Sequence, residues 1–313
     1  MIGWPITIKG PWRAGGAGPL RFSVSPTGPA APLTLSRSSV GTWIDGDGIL
    51  QEAPADAPRF AFDLDTSGFE GLLVEGSRTN GARYGETPDD SAGWLASAIQ
   101  SGMSITRIGT GVAQGLAFAD YLIAGTATAT YVDQSYISGA SVMAVAQGQA
   151  VTASVWFSVV GGSTSNIGNL VVACVEQTAT GQYLGHSNSA SALGLTSLER
   201  ITVTRSMTNP SVGQSRLAII VSDILIGQPV NITIRIACPQ LEIGSTASSF
   251  IPTGTVPETR DADVLSVPGL QGAFDIRYLT SAGPVDRSGQ TLGSQGVLPN
   301  PPSHILGVEL TRL

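Results

Sequence analysis

Residues 150–160 read Ala150-Val151-Thr152-Ala153-Ser154-Val155-Trp156-Phe157-Ser158-Val159-Val160. From Val151 to Trp156 the side chains alternate, with Val151, Ala153 and Val155 on one face of an extended chain and Thr152, Ser154 and Trp156 on the other. β-Branched residues at this density, with no Gly or Pro inside the run, make it a strand. Similar runs occupy 128–134, 170–177, 200–206, 216–222 and 230–236, each bounded by Gly, Asn, Ser or Pro. Short strands at this spacing predict an all-β chain whose central part, 105–253, is an antiparallel β-sandwich of jelly-roll type.

Outward from that centre the pattern changes. Residues 1–32 hold Gly10-Pro11, Gly15-Gly16, Gly18-Pro19, Pro26, Gly28-Pro29 and Pro32, and read as an extended arm with one short strand-like piece at 6–8. Residues 33–104 form a leader expected to pack on the sandwich. Strands at 42–44 and 60–62 flank a turn at Asp45-Gly46-Asp47-Gly48. Within it, 89–100 is the one stretch that reads as a helix, with Asp90 or Ser91 as cap. Residues 254–313 are again rich in Gly, Pro and Ser, and predict a tail or small β module with strands at 274–279 and 304–310.

The chain has 313 residues, 39 of them Gly and 19 Pro, with 42% hydrophobic content and a net charge of −7. That apolar content supports a packed core and excludes a disordered chain. The 16 basic residues are scattered singly, so no nucleic-acid partner is expected. Only Lys9 among them is a lysine, which fits a GC-rich bacterial or phage genome. No apolar run is long enough to predict a membrane span or an export signal. Cys174 and Cys238 sit inside strand runs and read as buried thiols in preference to a disulfide.

Chemistry-bearing residues are sparse. His186 and His304 are the only histidines, and neither stands at metal-ligand spacing from Cys or carboxylates; His186 reads as part of a surface turn. Carboxylates at Asp45, Asp47, Glu70, Glu75, Asp133, Glu176, Asp223 and Glu242 show no spacing that pairs any two for glycoside hydrolysis, so no enzyme activity is predicted. Asp45 and Asp47 resemble the start of a calcium loop, but the remaining ligands of such a loop are absent and a tight turn suits Asp and Gly better. No cofactor is expected. Aromatic rings on a rigid sheet stack on sugar C–H faces, which makes Trp156, Tyr131, Tyr136 and Tyr183 the candidate ligand-binding residues. Trp156 and Phe157 cannot both face inward on a regular strand, so one of them belongs on an outer face or under a covering loop.

Several segments are similar to a known family. These are Leu33-Thr34-Leu35-Ser36-Arg37-Ser38-Ser39, Gly41-Thr42-Trp43-Ile44-Asp45-Gly46-Asp47-Gly48, Pro58-Arg59-Phe60, Gly71-Leu72-Leu73-Val74-Glu75-Gly76-Ser77-Arg78-Thr79-Asn80 and Gln240-Leu241-Glu242-Ile243-Gly244-Ser245-Thr246-Ala247-Ser248-Ser249-Phe250-Ile251-Pro252-Thr253. Together they resemble tail-fibre, head-fibre and spike proteins of tailed phages and gene transfer agents. The resemblance implies a carbohydrate-binding-module-like or concanavalin-like jelly roll in a structural virion protein, assembled in the bacterial cytoplasm and acting outside the cell. It implies other virion proteins and a host cell-surface glycan as partners, and a homo-oligomer. A purely architectural decoration or connector protein is the alternative, and a polysaccharide depolymerase a more distant one. Arg59, Glu75 and Arg78, within the matching motifs, are expected to form ion pairs that lock the leader onto the sandwich.

Overall fold

The computed structural model describes residues 19–86, 102–128 and 142–313, together with the backbone of 94–98 and 133–139. Among the described residues every regular element is a β-strand, and the paired strands run antiparallel. They form two compact units: Arg78–Arg260, and the residues up to Ser77 joined with Asp261–Leu313.

The Arg78–Arg260 unit is a β-sandwich. One sheet has five strands in the order Met103–Ala113, Leu116–Thr126, Pro229–Ile243, Ala150–Ser163, Glu199–Ser206. The other has six: Tyr183–Asn188, Ile167–Gln177, Gln214–Ile224, Asp133–Gly139 and Trp94–Ala98 in order, with Met143–Ala144 also paired to Gln214–Ile224. Alternate residues of the central strands meet in one apolar core. Val151, Ala153, Val155, Phe157, Ile232, Ile234 and Ile236 come from the first sheet, and Leu170, Val172, Cys174, Leu217, Ile219 and Val221 from the second. At the rim, Arg205 of one sheet donates to Glu176 of the other at 2.5 and 3.0 Å.

The second unit holds a five-stranded sheet in the order Gly28–Pro29, Leu20–Ser25, Gly307–Arg312, Gly272–Leu279, Val285–Leu292. Phe22, Val24, Phe274, Ile276, Tyr278, Val308 and Leu310 line its buried face. Shorter pairings join Thr34–Ser36 to Val264–Ser266 and Phe60–Asp63 to Gly68–Leu73, which in turn pairs with His304–Ile305. Gly41–Ile44 pairs with Leu50–Ala53 around the 45–48 turn, so the strand expected at 60–62 is not the partner of the one at 42–44.

The structure corrects three further expectations. Part of the 1–32 arm, Leu20–Ser25, is a sheet strand with Phe22 and Val24 in the core, because alternation over six residues outweighs the Gly and Pro on either side. The leader 33–104 and the segment 254–313 are not separate bodies: the leader up to Ser77 and the chain from Asp261 share one core. Backbone 94–98, inside the expected helix, is a strand paired with Asp133–Gly139; a β-sheet partner distant in sequence overrides a weak helical preference.

Candidate functional site

The two aromatic candidates whose side chains the structure describes, Trp156 and Tyr183, separate sharply. Trp156 is a core residue. Its strand faces Pro229–Ile243 across a bulge, where Ser154 pairs with Gln240 and Trp156 with Ala237, leaving Val155 opposite both Cys238 and Pro239. Cys238 takes φ 48° there. Phe157 keeps its place in the inter-sheet core, and Trp156 lies on the other face of the sheet beneath the returning chain. Phe250 packs edge-on against it with centroids 6.3 Å apart, and the Arg200 guanidinium stacks 4.5 Å from its ring centre while donating to Ser154 Oγ. Trp156 therefore cannot serve as a sugar platform.

The same geometry explains the 240–253 motif. Glu242 accepts hydrogen bonds from the Ser248 amide and hydroxyl, both at 2.8 Å, and from Gln240 Nε2, while Gln240 Oε1 accepts the Ile251 amide. Arg78 Nε lies 3.7 Å from Glu242. Asn80 donates to the carbonyls of Pro239 and Ile251 and accepts the amides of Ala82 and Leu241. Each motif side chain satisfies buried backbone groups that fasten the covering segment over Trp156.

Tyr183 lies on the opposite sheet. Side chains of Ile167–Gln177 alternate between the core, with Leu170, Val172 and Cys174, and the outer face, where Ala173 and Val175 cluster with Ala218. His186 pairs with Val175 and Asn188 with Ala173, so both stand on that outer face. Tyr183 is 60% exposed. Its hydroxyl is hydrogen bonded to His186 Nδ1 at 2.6 Å, and the two rings lie 5.8 Å apart. Tyr183 pairs with Gln177, whose amide donates to the Gly181 carbonyl and accepts from Gln214 Nε2. The result is two linked rings at the edge of a rigid sheet, flanked by the Gln177, Gln214 and Asn188 amides. In the neutral tautomer whose Nδ1 accepts from Tyr183, the imidazole carries its proton on Nε2 as a donor. Rings of this kind stack on sugar faces and the amides bond hydroxyl groups.

Tyr131 lies outside the described residues, as does the Tyr136 side chain; the Tyr136 backbone pairs with Ile220 and Ser97. His186 was missed as a site residue because Gly185-His186-Ser187-Asn188 contains poor strand formers, whereas the structure places all four in the strand Tyr183–Asn188.

The charged candidates are structural. Arg59 donates to Glu75 at 2.7 Å and to Asp263 at 2.5 Å, and Arg37 reaches the other Asp263 oxygen at 2.9 Å. Arg59 and Glu75 thus tie the leader to the chain that follows the sandwich, while Arg78 pairs with Glu242 within the sandwich unit. The Asp45 carboxylate accepts the amides of Asp47 and Ile49, each at 3.0 Å, and the Gln51 side chain at 2.7 Å, and so closes the hairpin. Among the described residues no three His, Cys, Asp or Glu side chains gather as a metal site. Cys174 and Cys238 are free and buried; burial raises both thiol pKa values, that of Cys238 to about 12.

No protein-family model and no curated protein matches the chain. Solved structures of similar architecture include a β-sandwich carbohydrate-binding module described as promiscuous in specificity, 11% identical, with 72% of this chain and 98% of that one covered at a TM-score of 0.37. A xylan-binding domain from Paenibacillus barcinonensis is 13% identical over 52% of this chain and 98% of that one, at 0.32. The enzymatically active domain of tailspike protein 4 from bacteriophage CBA120 is 9% identical over 53% of this chain, at 0.32. The match spans 21% of that tailspike chain, and 32% of an α-L-arabinofuranosidase chain that is also similar.

Proposed function

We propose that this chain is a structural virion protein of a phage or gene transfer agent whose sandwich binds host cell-surface polysaccharide during adsorption, without cleaving it. The observation that carries the reading is the exposed Tyr183–His186 pair on the outer face of the six-stranded sheet, bordered by uncharged amides. An aromatic platform with neutral hydrogen-bonding groups suits a neutral glycan, and the net charge of −7 disfavours polyanions. The resemblance of the 33–80 and 240–253 motifs to virion proteins supports the assembly context. Glu75, Glu176 and Glu242 support the non-enzymatic reading, since each is engaged by an arginine in a structural contact.

A shallow sugar site binds weakly, and many copies on one particle would add their contacts together. The test is binding of the purified chain to host polysaccharide, for wild type and Tyr183→Ala. Loss of at least about tenfold in a folded Tyr183→Ala variant, insensitive to salt, is expected from the loss of one stacked ring. Wild-type protein that binds no host polysaccharide would leave the architectural reading, which the purely internal roles of Asn80, Gln240 and Glu242 also favour.

A further inference from the structure

The five-stranded sheet of the smaller unit buries one face and presents the other to solvent. Across that outer face Arg21 pairs with Glu309, Glu309 with Arg277 and Arg277 with Asp286, one residue from each of four adjacent strands. Paired residues of antiparallel strands share a face, so the four side chains form a single row of charges in the order positive, negative, positive, negative. Arg21 Nε lies 2.9 Å from Glu309, and Arg277 Nε 2.7 Å from Asp286. Three of the four stay open to solvent, the side chains of Arg21, Arg277 and Asp286 being 71%, 51% and 55% exposed, while Glu309, between the two arginines, is 18% exposed. Beside it Thr311 pairs with Asp275, and the two rows border a shallow cavity of about 390 Å³.

This order of charges has a geometric property. Reversed end to end it becomes negative, positive, negative, positive, which is its own complement. A second copy laid face to face, related by a two-fold axis parallel to the strands and between the Glu309 and Arg277 positions, sets Arg21 against Asp286 and Glu309 against Arg277. Each contact occurs twice. The neighbouring row obeys the same operation, with the Thr311 hydroxyl meeting the Asp275 carboxylate. The operation keeps the strand directions of the two sheets aligned, as face-to-face sheets prefer, and makes the contact isologous. We propose that this sheet face is a two-fold docking surface for a second copy of the chain.

The test uses the full-length chain in sedimentation velocity at low and at physiological salt. Wild type is expected to dimerise, with affinity falling as salt rises because the pairs are exposed. The variant R21E/E309R carries negative, positive, positive, negative, so two of its copies face each other with like charges; dimerisation should weaken by at least about tenfold. R277E/D286R should weaken it similarly. Mixed together, the two variants present opposite charges at every position and should associate as a heterodimer. That rescue separates docking from any destabilisation inside each variant, which mixing would not repair, and thermal melts confirm that both are folded. A wild type that is monomeric at both salts, an oligomer unaffected by either swap, or a mixture no better than its components would overturn the proposal. Loss of host-polysaccharide binding with unchanged self-association would instead assign the face to glycan.

Discussion

The two units solve the packing problem differently. The sandwich is one continuous stretch of chain, and its two sheets meet through aliphatic side chains whose attraction has no preferred direction. The smaller unit is assembled from two segments separated by the whole sandwich. Strand pairings between residues more than 200 positions apart close it, together with the buried cluster of Arg37, Arg59, Asp263 and Glu75. Arg37 spends its remaining donors on the carbonyls of Ser39, Pro54 and Ala57, so one guanidinium anchors several turns of the leader. A charge cluster of this kind adds little over an apolar core of equal volume, but it costs much to break and accepts one geometry. The difference teaches that both units depend on burial, and that the discontinuous one adds a buried charge cluster that joins its two distant segments.

That contrast can be broken by truncation. Deleting residues 1–32 removes the Leu20–Ser25 strand with Phe22 and Val24, and should abolish the cooperative transition of the smaller unit while the sandwich still melts normally in calorimetry. Loss of both transitions would show that the units do not fold independently. A smaller and sharper effect is expected from Asp263→Ala. It removes the carboxylate that two buried guanidinium groups share, and should cost about 3–5 kcal/mol in the smaller unit alone. An unchanged profile would mean that the cluster is not what closes the unit.

The weakest effect is set by pH. Burial raises the Tyr121 pKa in the sandwich to about 12 and raises that of Tyr278 in the smaller unit as well. A folded-state pKa above the unfolded value of about 10 means that folding favours the neutral phenol. The contribution is therefore complete below about pH 10 and is lost as pH rises beyond it, amounting to about 1 kcal/mol for Tyr121 by pH 11. Denaturant midpoints at pH 7 and 11 should fall for both units, since each buries one such tyrosine. A midpoint unchanged for one unit would show that its phenol titrates alike in both states.

Strand runs were legible where β-branched residues alternate, as at 150–160, 170–177 and 230–236, because each lies inside an observed strand. Leu20–Ser25 and Val285–Leu292 were not, since Gly, Pro and Ser crowd around them; the first pairs with Gly307–Arg312 far along the chain, the second in a hairpin with Gly272–Leu279. Of the candidate site, Tyr183 was visible as a scarce aromatic. His186, Gln177 and Gln214 became its neighbours only through strand register and a bulge between Glu176 and Gln177.

The sequence alone determined that this chain is built of antiparallel strands around an aliphatic core, because periodicity of two over a few residues is a local property of side-chain placement. It also determined that Trp156 and Phe157 part company across one sheet. Tertiary structure decided which of them the covering segment hides, where the leader and the last fifty residues meet, and which charges line up across four strands. Those outcomes rest on pairings between residues far apart in the chain, whose closure is settled by the sum of all contacts and leaves no mark on any single window of sequence.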